Sequence, residues 1–274
     1  MNIKKIYPVI ILSAIISVAA RTINILFGCE LPSGLSEGNF FSYIFLIAAA
    51  LSFFLIFFVS KFSYGVSKLS ELSVSDKPLC LAFILMGLGF SVDSYLLVKD
   101  IEALSILDKV TAALGILSAV ASIIFGIAVL KNSKRSIWAL MVAPIIYYSV
   151  SLIRTFFITV SSISSSTVGV LSFKIIFILL FFISLISLLS DPEGLSGAGG
   201  GITYGAFSVV FIISIYLPAA ILYFVDKQKY GVLLKDLSAA DLPIVFLSLI
   251  FISAITKAVA NKSNSLKAKV SEEL

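Results

Sequence analysis

Two arginines interrupt long apolar runs, and each is followed by threonine: Arg21-Thr22 and Arg154-Thr155. A guanidinium in such a setting can hold an anion or clasp a carboxylate from elsewhere in the chain. The carboxylates available to answer are Asp93, Asp108, Asp226 and Asp241. One shift of 133 residues carries Arg21 onto Arg154, Asp93 onto Asp226 and Asp108 onto Asp241. Polar residues recur around both arginines at helical spacing. Ser13, Ser17, Arg21 and Asn24 make one stripe, and Tyr147, Ser151 and Arg154 make another. Such stripes turn toward a bundle interior or a water-filled cavity, because lipid offers them no hydrogen bonds. The candidate polar site is therefore Arg21, Asn24, Asp93, Arg154 and Asp226, with Arg21–Asp93 and Arg154–Asp226 as the expected pairs. Two readings stand side by side: a clasp between helices, and a site for a small anionic solute.

The elements that must position these residues follow from composition. The chain is 59% hydrophobic and only 13% charged, with a mean hydropathy of +1.12. A soluble domain of this length could not bury so much apolar surface. Eight apolar stretches are each about long enough to cross a bilayer core, which takes roughly 20 residues: 6–27, 40–60, 79–98, 110–130, 137–160, 170–190, 202–225 and 242–260. The alternating ten-residue segments of a membrane barrel are absent. The expected fold is all-α, a polytopic transmembrane helical bundle of about eight helices. The connections between the stretches are too short to build a second core.

The shift of 133 divides the chain into residues 1–133 and 134–274, with four stretches each. That division is what a 4+4 parallel repeat would give, and also what coincidence could give in a chain so rich in Ile, Leu and Ser. Gly87 and Gly89 in the third stretch fall near Pro218 in the seventh under the same shift, although both residue types are frequent in membrane helices. Ser118, Ser122 and Gly126 share one face of the fourth stretch and suit close helix packing. Residues 62–74 read equally as an interfacial helix or a loop.

Lys and Arg favour the cytoplasmic side of a membrane. With the N-terminus inside, twelve of the twenty basic residues fall inside, five outside and three within spans. The expected location is the cell membrane, multi-pass, with both termini cytoplasmic. Loops 191–201 and 226–241 run against this charge bias. Lys174 and Lys257 lie near span ends and read as snorkelling residues. Asp108 and Asp241 precede the fourth and eighth stretches, where a carboxylate suits a helix N-terminus. The net charge of +5 is scattered at the inner face and calls for anionic lipid rather than nucleic acid.

Catalytic and metal chemistry find little here. The chain has no histidine, which removes Ser-His-Asp triads and His-based metal sites together. Cys29 and Cys80 fall on opposite faces and form neither a disulfide nor a metal site. Gly194-Leu195-Ser196-Gly197 and the glycines that follow read as a flexible turn. No cofactor is expected, and an enzyme is the weakest reading.

The opening KKIYP, the Arg-Thr-x-x-x-Leu-Phe of residues 21–27 and the Gly-containing turn before Phe40-Phe41 resemble a loose group of uncharacterised multi-spanning membrane proteins from Gram-positive anaerobes. The second Arg-Thr and Leu217-Pro218 are similar to that group as well. The resemblance implies a small bacterial integral membrane protein and no particular activity. The expected function is a small-solute permease or transporter-like protein; the alternative is a non-transporting membrane scaffold or sensor subunit. The partners expected are the lipid bilayer and an anionic small solute.

Overall fold

The computed structural model describes residues 6–27, 29–30, 35–36, 40–61, 76–99, 105–131, 138–161, 166–190 and 196–272. Segment 62–74 lies outside them. The chain runs α1 (Ile6–Phe27), β1 (Cys29–Glu30), β2 (Leu35–Ser36), α2 (Phe40–Lys61), α3 (Asp76–Val98), α4 (Ile106–Leu130), α5 (Val142–Ser161), α6 (Ser166–Ser190), α7 (Ser196–Val225), α8 (Lys227–Tyr230) and α9 (Asp241–Glu272). Strands β1 and β2 form one short antiparallel pair between α1 and α2.

Local chemistry explains the helix ends. Ser105 opens α4 with a reciprocal capping box, its hydroxyl accepting from the Asp108 N–H while the Asp108 carboxylate accepts from the Ser105 N–H. Pro8, Pro78 and Pro243 are each the third residue of α1, α3 and α9, where a missing N–H costs no intrahelical bond. The Gly-rich stretch expected to be a turn is instead helical from Ser196, so α7 runs for 30 residues. Close packing explains the glycines. A Cβ on Gly200 would lie 2.4 Å from the Ser184 hydroxyl of α6, so a larger residue there would force Ser184 to shift.

Seven helices among the described residues are long and apolar enough to cross a membrane: α1 to α7, α5 together with the short 3-10 turn before it. The protein is therefore read as a multi-pass membrane protein. The eighth expected span, in α9, is not one of these seven. Its described part packs one face inward through Ile244, Leu247, Phe251, Ile252 and Ile255. Large apolar side chains such as Ile11, Ile15, Leu117 and Phe156 face outward, as lipid contact requires.

The packing has a simple plan. Helices α3, α4, α5, α6, α7 and α9 each lie against the next, and α9 returns to α3, closing a ring of six. Helices α1 and α2 pair with each other and lie against the outer side of α7. A stacked pair ties α2 to α7, with Phe53–Phe207 centroids 4.8 Å apart, and Phe207 stacks in turn on Phe177 of α6 at 4.8 Å. The small residues expected to face inward on α4, Ser118, Ser122 and Gly126, are buried, and a Cβ on Gly126 would press on Cys80 and Phe83 of α3. The connection after α7 folds back as α8 and a 3-10 turn, burying Tyr230 and Leu233 against Ile25, Ala219 and Leu222.

Candidate functional site

At one end of the six-helix ring lies a cavity of ≈ 340 Å³ whose lining includes Asp93, Tyr147, Tyr148, Arg154, Lys174 and Asp241. Its charges come from the C-terminal part of α3, the middle of α5, the first turns of α6 and the first residue of α9. Deeper in the ring, aromatic side chains form a floor. The Phe90 ring meets Tyr147 at 5.1 Å and Tyr148 at 5.8 Å, and Tyr148 stacks on Phe182 at 6.1 Å.

Three polar arrangements build the wall. Lys174 Nζ donates to Asp241 Oδ2 at 2.7 Å, with side chains only 6% and 0% exposed. Burial of both charges is tolerated because they meet each other, and because Asp241 sits at the positive N-terminal end of α9. Arg154 Nε donates to Asp108 Oδ1 at 2.5 Å, and this pair is wetter, at 31% and 18%. Asp93 reaches from α3 to the turn before α9. It accepts from the Ser238 hydroxyl at 2.5 Å and from the N–H groups of Ala239 at 2.7 Å and Ala240 at 3.3 Å. A side chain of one helix thus caps another. Gly89 makes this approach possible, since a Cβ there would lie 2.6 Å from Ala240 Cα. Tyr216 of α7 completes the turn by donating its hydroxyl to the Ser238 carbonyl.

The wall also carries polar atoms with nothing to hold. Tyr148 Oη and Asp241 Oδ1 are buried without a hydrogen-bond partner, and both residues line the cavity. Buried polar groups are nearly always satisfied, so these two mark a place where a partner belongs.

The sequence-derived site divides. Asp93 and Arg154 share the cavity. Arg21 and Asn24 do not: both are buried in α1, where Arg21 Nη1 donates to Asn24 Oδ1 at 2.6 Å and the guanidinium stands 5.7 Å from the Phe45 ring. The space beside Arg21 is only ≈ 10 Å³, room for about one water at most. Asp226 lies outside the cavity as an exposed cap of α8, accepting from the Gln228 and Lys229 N–H groups at 3.0 Å. Neither expected pair forms. Asp93 is taken up by residues 238–240, and Arg154 meets Asp108, because α4 rather than α7 is the neighbour of α5.

Lys174 also corrects the expectation of snorkelling. Helix α6 begins at Ser166, so Lys174 stands two turns inside it and finds Asp241 in place of water. The missed signal was depth: Lys174 and Asp241 are opposite charges at the same end of two apolar runs. Lys257, by contrast, is exposed. Free Cys80 is buried in α3. No cluster of potential metal ligands occurs among the described residues.

No family model matches this chain, and no match was found among curated proteins or solved structures.

Proposed function

We propose that this protein is a permease-like carrier of a small polar solute in the cell membrane, with both termini cytoplasmic and the ring cavity as its solute chamber. The observation that carries this reading is the cavity itself: ≈ 340 Å³ of space lined by four ionic side chains, two buried polar atoms of its wall, Tyr148 Oη and Asp241 Oδ1, lacking partners. A scaffold subunit has no use for such space, since close packing holds helices together better than an open polar void. The aromatic floor of Phe90, Tyr147, Tyr148 and Phe182 is then the barrier that a transported solute must pass.

The reading is tested without knowing the solute. In a background carrying Cys29→Ser and Cys80→Ser, a Ser151→Cys variant places one thiol in the cavity wall. A membrane-impermeant maleimide is applied to intact cells and, separately, to inside-out vesicles. Labelling from both sides is expected of a carrier that opens alternately. Labelling from one side only, or from neither, overturns the carrier reading in favour of a scaffold or sensor.

A further inference from the structure

From the charges and unpartnered atoms of the cavity, we infer that its ligand carries a small protonated amine and is not an anion. This rests on the reading of the cavity as a solute chamber and names the solute class. Four ionic residues line the space, Asp93, Arg154, Lys174 and Asp241, and Asp108 stands behind Arg154. The four lining charges cancel, and Asp108, paired with Arg154 but outside the lining, leaves one negative charge over the five groups. Each cation already has its carboxylate, Arg154 on Asp108 and Lys174 on Asp241. The remaining carboxylate, Asp93, accepts hydrogen bonds at the start of α9, and the helix dipole there offsets about half a charge. Residual negative charge repels an anion and attracts a cation. Arg21, whose charge first suggested an anionic ligand, lies outside this space.

The unpartnered atoms specify the cation further. Asp241 Oδ1 is a pure acceptor and fully buried, and Tyr148 Oη can also accept. An ammonium group has donors for such acceptors and gains further from the tyrosine faces beside it. Size separates an organic amine from a bare ion. A water-sized occupant needs only about 10–15 Å³ of such space, far below the ≈ 340 Å³ present. The cavity therefore suits an amine carrying a compact body of several heavy atoms.

The test uses the full chain in lipid nanodiscs and follows its thermal unfolding with ethylammonium chloride, sodium acetate or sodium chloride at matched ionic strength. The expected result is a rise in Tm with ethylammonium that neither sodium salt reproduces. A double variant, Tyr148→Phe with Ser151→Ala, removes two hydroxyls and leaves both ion pairs. It is expected to weaken the apparent ethylammonium affinity about tenfold. Stabilisation by acetate would show an anion site, and an equal effect of sodium chloride would show a bare-cation site. Either result, or no response to ethylammonium, or an undiminished response in the double variant, overturns the inference. The two proposals fail separately. One-sided thiol labelling with intact amine binding removes the carrier and keeps the ligand class. Two-sided labelling without amine binding does the reverse.

Discussion

Arg21 and Arg154 start from the same dipeptide and end in opposite surroundings. Their threonines behave alike: Thr22 Oγ1 donates to the Val18 carbonyl and Thr155 Oγ1 to the Ser151 carbonyl, both at 2.8 Å. The arginines do not. Arg21 is 3% exposed, held against Asn24 and the Phe45 ring where α1 meets its neighbours. Arg154 faces open space and shares its charge with Asp108. The difference lies in the neighbours, not in the helix. Helix α1 is packed on the outside of the ring by α2 and α7, whereas α5 is part of the ring wall. One local sequence serves as a packed clasp in the first place and as a cavity lining in the second.

If dryness is what separates the two regions, stability losses should rank by it. The largest loss is expected at the driest ion pair. Asp241→Ala leaves Lys174 charged and buried, and unfolding in detergent should show a loss of about 3–5 kcal/mol. Combining it with Lys174→Met should recover much of that, because no lone charge remains. Next comes the Arg21 seat. Asn24→Ala removes a buried hydrogen bond to a charged group and should cost about 1.5–3 kcal/mol by the same measurement. Arg154→Gln should cost less, about 0–1 kcal/mol, because its pair is partly hydrated. A loss at Arg154 as large as at Asn24 would break the comparison. Smallest is Thr22→Ala, which removes a side-chain bond to a carbonyl already in the helix ladder, with an expected change within about 0.5 kcal/mol.

The stripes themselves were legible. Ser13, Ser17, Arg21 and Asn24 are all buried, and Tyr147, Ser151 and Arg154 all line the cavity, as a period of 3.6 residues requires. The partners were not legible. Periodicity says which way a side chain points on its own helix, but not which helix stands opposite. Asp108 answers Arg154 because α4 adjoins α5, and Asp241 answers Lys174 because the start of α9 reaches α6. The glycines 199–201 misled for a related reason: glycine weakens an isolated helix, yet these lie within α7, where Gly200 packs against Ser184 of α6. The ion pairs do not follow the 133-residue shift: it relates Asp108 to Asp241 and Arg21 to Arg154, yet Asp108 pairs with Arg154 and Asp241 with Lys174.

The cap that Asp93 places on the turn before α9 has a consequence for how the protein is made. Its three hydrogen-bond donors come from Ser238, Ala239 and Ala240, and the counter-ion of Lys174 is Asp241. Both needs are met by four consecutive residues near the end of the chain. A ribosome that has delivered α3 and α6 into the bilayer has therefore delivered an anion and a cation whose partners do not yet exist. The ring becomes electrically complete only when residues 238–241 emerge, so the start of α9 seals charges that entered the bilayer with α3 and α6.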